Sequence, residues 1–482
     1  MDKKHYMTTI GLEIHLQLST KTKAFCGCVN EFGKEPNTAV CPVCLGLPGS
    51  LPVLNKEYFY RAIKVALSLN CTVSGRMRFD RKNYFYPDLP KNYQISQYDM
   101  PLSNKGYLDI VTAQGLKRIG ITRVHMEEDA GKLIHDENGV FSLIDLNRTG
   151  TPLLEIVSEP DISSPEEAHL YLKNLKSLLE YLDVSDCNME EGSLRCDANI
   201  SIRQKQQKEL GTKVELKNMN SFKGVKRALE YEQKRQLETI SAGEEIVQET
   251  RLWNEDKKRT EPMRTKEEAH DYRYFPDPDL ADFTISQDIV EKIRESLPEM
   301  PQVKCSRFKN EYNLSEYDAS VLIMDKCMSD FFEHCVKLYA QPKSIANWLI
   351  GELQSYLNEH NSEFKFLSIT PLHLTGMIGL IDKGVISNKM AKGILVEILS
   401  TGKTAENIVK EKGLSQLTDQ SAIQELAYEV LKENPKVKDD YISGKRNALG
   451  FLVGQLMKKT QGKANPVVAN QMLKYIIEKD KT

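Results

Sequence analysis

No apolar run in this 482-residue chain approaches the roughly 20 residues that a membrane-spanning helix needs. The opening Lys3-Lys4-His5, followed by mixed residues, lacks the apolar core of a secretion signal. His-Glu-x-x-His, Gly-x-Ser-x-Gly and the dinucleotide-binding fingerprint are all missing. Gly402-Lys403-Thr404 has the ending of a phosphate-binding P-loop, but Glu397 stands where that loop needs its first glycine. Internal repeats and low-complexity tracts are absent too. What is left is the composition of a soluble globular protein, 40% hydrophobic and 28% charged with a net charge of −3. A cytoplasmic setting is the expectation. There the ten cysteines would be thiols or metal ligands rather than disulfides. A chain this long calls for more than one core.

Residues 10–18, Ile-Gly-Leu-Glu-Ile-His-Leu-Gln-Leu, alternate strictly. Leu12, Ile14, Leu16 and Leu18 share one strand face, and Glu13, His15 and Gln17 share the other. Such a strand suits a sheet that floors a polar cleft; the ordinary alternative is a polar face in water. Two further strands place an acid among apolar residues: Glu128 shares parity with Val124 and Met126, and Glu155 lies inside Pro152–Val157. A buried carboxylate needs a cation or a proton. Gathering Glu13, His15, Glu128 and Glu155 around one Mg²⁺ would meet that need, and pairing with Arg123, Lys132 or Arg148 would meet it equally. In residues 193–203, Leu194, Cys196, Ala198, Ile200 and Ile202 should pack inward, leaving Arg195, Asp197, Asn199 and Arg203 on the opposite face. Glu215 alternates with Val214 and Leu216. The aromatic, proline-stiffened loop 80–90 carries Lys82, Tyr84 and Tyr86, which could orient a phosphorylated substrate or simply pack. Phosphoryl transfer asks for Mg²⁺, cationic clamps and positioning, and this inventory fits.

Cys26-Gly27-Cys28 and Cys41-Pro42-Val43-Cys44, separated by twelve residues, match a tetrahedral structural zinc site better than a redox pair. Cys71, Cys187, Cys196, Cys305, Cys327 and Cys335 are scattered and read as small core residues. Asn55 should cap a helix reaching about Leu69, and Ser164-Pro165-Glu166-Glu167 reads as a capping box. Behind it, Leu172, Leu175, Leu179 and Leu182 form a core stripe.

The fold class expected is α+β: a mixed sheet-and-helix domain over 1–297 with the zinc loop at 26–44, a helical domain over 298–400 and a helical tail over 401–482. Pro298 and Pro301 mark the first boundary, and Ser400-Thr401-Gly402 the second. From Tyr441 to Lys474 there are six Lys/Arg and no acid, a pattern that grips phosphate backbones or forms a solvated helix face. Leu449, Leu452, Val453, Leu456 and Met457 between them read as that unit's core.

Gly11–His15, Asp80–Pro90, His125–Gly131, Thr151–Glu155, Glu190–Asn199, Glu215–Asn218, Asp271–Pro276, Gly450–Met457 and Gly462–Pro466 together resemble the B-subunit of the tRNA-dependent amidotransferase (GatB), across essentially the whole chain. The resemblance implies ATP- and Mg²⁺-dependent conversion of misacylated Glu-tRNA(Gln) or Asp-tRNA(Asn) to the amide. The side-chain carboxylate is phosphorylated and ammonia then displaces phosphate. It also implies Glu13, His15, Glu128 and Glu155 around the metal, and Lys82, Tyr84, Tyr86, Asp197 and Glu215 along the pocket. Lys445, Arg446, Lys458, Lys459 and Lys463 would bind the tRNA. No glycine- and serine-rich Ser-Ser-Lys amidase pattern is present, so ammonia would come from a glutaminase (amidase-type) A-subunit, braced by a small C-subunit in a heterotrimer. Cys26, Cys28, Cys41 and Cys44 are all retained here, whereas some family members lack them. The other classes to separate are a non-catalytic, zinc-stapled tRNA-binding module and a Mg²⁺-dependent kinase of a small metabolite.

Overall fold

The computed structural model describes the chain except for residues 1–4, 136–138, 140, 266–270, 415–419, 446, 461–463, 465 and 480–482. It divides into two compact units, Met1–Pro301 and Gln302–Thr482.

The first unit is α+β, built on a nine-stranded sheet. Its centre comprises β1 (Tyr6–Gln17), β2 (Gly115–Glu128), β3 (Pro152–Ser158), β4 (Leu194–Gln204) and β5 (Val214–Lys217). Across the sheet they run in the order β5-β4-β1-β3-β2. All four pairings are antiparallel. Strands Glu249–Asn254 and Arg259–Thr265 extend the β5 edge, and Ser103–Thr112 and Thr72–Val73 extend the β2 edge.

Alternation sets the two faces, because residues opposite each other in an antiparallel ladder project to the same side. Leu12, Ile14 and Leu16, with Val124, Met126, Leu154, Ile156, Cys196, Ala198, Ile200, Val214 and Leu216, form one buried apolar layer. It is covered by α1 (Lys56–Ser68), α2 (Pro165–Tyr181) and α3 (Phe222–Ser241), which contribute Tyr58, Ile63, Leu172, Leu175, Val225 and Leu229 to the same core. Their starts are chemically specified. Asn55 Oδ1 accepts from the Glu57 and Tyr58 N–H groups, and Ser164 Oγ accepts from Glu167 N–H. Glu167 closes back on the Ser163 N–H at 2.8 Å, one residue before the position a capping box uses. The stripe Leu172, Leu175, Leu179 and Leu182 is buried throughout. A second, small sheet joins Asp80–Asn83 to Tyr93–Ser96 on one side and Phe275–Pro276 on the other.

The second unit is helical and holds two apolar clusters. One gathers Phe308, Phe332, Trp348, Leu374, Ile394 and Ile408; the other gathers Ala427, Leu452, Leu456, Leu473 and Ile477. Gly402 is the left-handed cap of helix Asn388–Thr401. The helix beyond it, Ala405–Lys412, still packs in the first cluster, so the break expected at 400–402 is a helix end inside that core. Leu452 and Leu456 are buried, with Leu449, Val453 and Met457 packed beside them. Of the scattered cysteines, Cys71, Cys187, Cys196 and Cys335 are buried, Cys305 is partly buried and Cys327 is exposed. Among the described residues, no helix is long and apolar enough to cross a membrane.

Candidate functional site

The sheet face opposite the helices carries the ionisable residues. Register aligns His15 of β1 with Glu155 of β3, and Glu155 with His125 of β2, so three adjacent strands present one row. Glu127 follows two residues along β2 on the same face. His15 Nε2 lies 3.6 Å from Glu155 Oε2 and 3.8 Å from Glu127 Oε1. His125 Nε2 lies 3.3 Å from Glu155 and 3.7 Å from Glu127. Ser96 Oγ donates to Glu127 at 3.1 Å, and Arg123 Nε donates to His125 Nδ1 at 3.3 Å.

Burial opposes the charge of Glu155, yet His125 and His15 hold its carboxyl well below the ordinary range. Burial likewise disfavours a charged His15, and Glu155 and Glu127 outweigh it. One ligand atom from each of His15, Glu127 and Glu155 lies within 4.8 Å of the others, close enough to share a metal ion. Two adjacent buried carboxylates repel each other and call for a cation between them, and hard divalent ions prefer such oxygens.

Glu128 does not join this group. Its odd-even position turns it to the opposite face, where Lys91 forms an ion pair with it and the Ile95 N–H donates to it at 3.0 Å. The carboxylate is thus satisfied by a lysine other than those its sequence neighbourhood offered. In the cluster that the fold assembles, Glu127 stands where Glu128 is expected from sequence, and the parity it shares with Arg123 and His125 is the signal for it. Glu13 lies on the site face but outside the trio, accepting from Asn199 Nδ2 at 2.8 Å. Burial, with Glu155, Glu215 and Asp197 nearby, raises its pKa. Lys217 of β5 bridges Asp197 and Glu215, and Thr250 Oγ1 donates to Glu215 at 2.8 Å.

At the margin stands Lys82, on the strand Asp80–Asn83. Its Nζ lies 4.8 Å from the Tyr272 ring centre and 5.8 Å from that of Tyr84. Burial opposes its charge, but Glu127 and Glu155 keep its pKa above the ordinary lysine value. Tyr84 donates to Gln94 at 3.4 Å. Tyr86, by contrast, is 53% exposed and among its described contacts makes none with these groups. Two distant sequence blocks meet here. Arg81 pairs with Phe275 in the small sheet, and the Asn83 N–H donates to the Tyr272 carbonyl. Tyr274, two residues on, stacks on Tyr98 with centres 4.4 Å apart. Neither Tyr272 nor Tyr274 was singled out individually from sequence.

Cys26, Cys28, Cys41 and Cys44 bring their sulfurs within 4.8 Å of one another, a set that could hold a metal ion. The Cys41 N–H donates to Cys44 Sγ at 3.1 Å. A Cys26 hydrogen bond, opposed by burial and helped by the Cys41 N–H and Lys23, lowers the Cys44 thiol's pKa.

In the tail, folding supplies the acids that the local sequence lacks. Lys459 pairs with Glu429 and Glu433, and Lys445 with Asp440, at 2.7–2.9 Å. Lys458 is exposed. Arg446 and Lys463 lie outside the described residues.

Residues 8–291 match the model of the GatB/GatE catalytic domain, and residues 330–477 that of the GatB domain. The chain belongs to the GatB family. The aspartyl/glutamyl-tRNA(Asn/Gln) amidotransferase B-subunit of Thermoanaerobacter sp. (strain X514) is 56% identical over 474 residues, covering 98% of this chain and 100% of that protein. The B-subunit of Carboxydothermus hydrogenoformans is also 56% identical, over 98% of each chain. That of Persephonella marina is 54% identical over 97% of this chain and 99% of the relative. A GatB chain is one component of an amidotransferase, so the charged sheet face of the catalytic domain is the natural place to look for chemistry.

Proposed function

We propose that this GatB chain binds misacylated Glu-tRNA(Gln), Asp-tRNA(Asn) or both and phosphorylates the side-chain carboxylate with ATP on the charged sheet face. Ammonia then attacks the acyl phosphate carbon, phosphate leaves, and the amide forms. The observation that carries this reading is the convergence of His15, Glu127 and Glu155 beside Lys82 in a chain of this family.

His15, Glu127 and Glu155 would hold Mg²⁺. When bound, that ion supplies charge neutralisation for the triphosphate and the transferring phosphoryl group. Lys82, kept charged by its acidic neighbours and walled by Tyr84 and Tyr272, would orient a phosphate oxygen. Glu13, Asp197 and Glu215, spanned by Lys217, would line the pocket on the β5 side. Cys26, Cys28, Cys41 and Cys44 would hold a structural zinc, since four thiolates leave no open position for chemistry. The C-terminal tail would grip tRNA phosphates through Lys458 and, once displaced from their acids, Lys445 and Lys459. Ammonia would come from a glutaminase A-subunit, with a small C-subunit completing a cytoplasmic heterotrimer.

The test is ADP formation with mischarged tRNA and ammonia, reconstituted with the partner proteins. Turnover should need the charged tRNA and should be lost in Glu127→Gln and Glu155→Gln. Unchanged ADP formation in both variants would favour a module that only docks tRNA, and turnover without tRNA would favour a small-metabolite kinase.

A further inference from the structure

Lys23 is completely buried, yet it has no carboxylate within ion-pair range among the described residues. Its Nζ donates to the Ala39 carbonyl at 2.7 Å and reaches Cys44 Sγ at 3.9 Å. The backbone holds it there: the Lys23 N–H donates to the Cys28 carbonyl at 3.0 Å, and the next residue, Ala24, donates to Gly150 at 2.8 Å. An ammonium enclosed in this way calls for an anion beside it, because an unpaired charge is costly away from water. The anionic centre that Lys23 Nζ reaches is the four-cysteine cluster, through Cys44, whereas Glu128, whose Oε2 lies near the same turn at Gly150, is paired with Lys91. Zn²⁺ on four thiolates carries a net charge of about −2, and Cys44, the buried member of the four, holds part of it away from water. Each of the two groups therefore relieves the burial cost of the other.

We propose that Lys23 is the built-in counter-ion of the four-cysteine centre, donating an N–H to the Cys44 thiolate and bringing the loaded centre to a net charge of −1. This role rests on the zinc reading above and adds a residue to it that ligand spacing does not reveal. Lys23 lies three residues before the first cysteine of the first pair and joins that pair to the second: its N–H donates to the Cys28 carbonyl, while its side chain reaches Ala39, just before the second pair, and Cys44 within it. Hydrogen-bonded partners outside the ligand set fix orientation and tune affinity, commonly by 10–100-fold. The Cys44 thiolate should also be the least nucleophilic of the four, since its lone pair is engaged.

The experiment compares the full chain with Lys23→Met and Lys23→Arg by zinc competition against a chromogenic chelator. A second readout is the thiolate-to-metal absorption of the cobalt(II)-loaded proteins. Lys23→Met should bind zinc about 10–100-fold more weakly, and its cobalt band should move to longer wavelength as the N–H donor is lost. Lys23→Arg, which keeps charge and donors, should recover most of the affinity and the band position. If Lys23→Met does not fold, Lys23→Gln retains a donor for Ala39 without the charge and is measured instead. A folded neutral variant with parental affinity and an unmoved band would overturn the role of Lys23 while leaving zinc in place. A parent chain that binds no zinc at all would overturn the zinc reading, and this proposal with it.

Discussion

Asp129 shows how much a single carboxylate at the end of β2 holds together. It is 4% exposed, accepts from Gln17 at 2.7 Å and from Arg195 at 3.0 Å, and lies 3.7 Å from Arg148. Burial opposes its charge, and Arg195 and Arg148 still hold its pKa below the ordinary aspartate value. A carboxylate with a depressed folded pKa adds stability above its unfolded value and loses it as the pH falls through the folded one. Asp129→Asn should therefore cost about 3 kcal/mol near neutrality, because two arginines lose a buried partner. Denaturant titrations should show the gap closing below about pH 4. The same residue-scale logic explains why Glu128 misled a reading by sequence. An acid on the apolar parity looks anomalous and so attracts a functional role. Its resolution was Lys91, whose approach depends on the turn leading into strand Tyr93–Ser96 and is invisible in strand alternation. Glu127 looked unremarkable because it obeyed the pattern. His15 and Glu155 were legible, the first from alternation and the second from its apolar surroundings.

Elements hold the site through a few specific anchors. Tyr58 of α1, fully buried, sets its hydroxyl between the Glu127 carbonyl at 2.8 Å and the Leu153 carbonyl at 2.7 Å, which share its single proton. It thus pins β2 to β3 beside the trio from the opposite side of the sheet. Tyr58→Phe should cost about 1–2 kcal/mol by thermal or denaturant unfolding, since the two buried carbonyls lose the one proton they share. Gly150, at the turn before β3, has φ +81°, and a Cβ there would meet Cys44 Cβ at 3.4 Å. Gly150→Ala should destabilise by about 1–2 kcal/mol in denaturant unfolding through its left-handed backbone, the contact with Cys44 being an ordinary van der Waals one. Helix starts, the polar face of β4 and the cysteine quartet could be read from local chemistry. The pairing of Asp80–Asn83 with Phe275–Pro276, which carries Tyr272 to Lys82, could not, because it joins residues about 190 positions apart.

At the scale of the whole molecule, an α+β first unit followed by helices was legible, because alternation ends and helical periodicity takes over near the two prolines. The tail was legible in composition and less so in electrostatics. Its basic run meets Glu429, Glu433 and Asp440 from neighbouring segments, so part of its charge is offset on folding. Exposed pairs of this kind are weak and exchange readily for phosphate. A quadruple Lys445→Ala, Arg446→Ala, Lys458→Ala, Lys463→Ala variant should bind tRNA more weakly. It should also flatten the dependence of log affinity on log salt by roughly 3 if all four contact phosphates. An unchanged slope would place the tRNA backbone elsewhere.

The proposed chemistry stands or falls on where a divalent ion goes. Crystals equilibrated with Mn²⁺, measured at a wavelength where manganese scatters anomalously, should give a peak between His15, Glu127 and Glu155, with Glu128 still on Lys91. A map with no peak at that row, or with manganese bound by Glu128 instead, would contradict it.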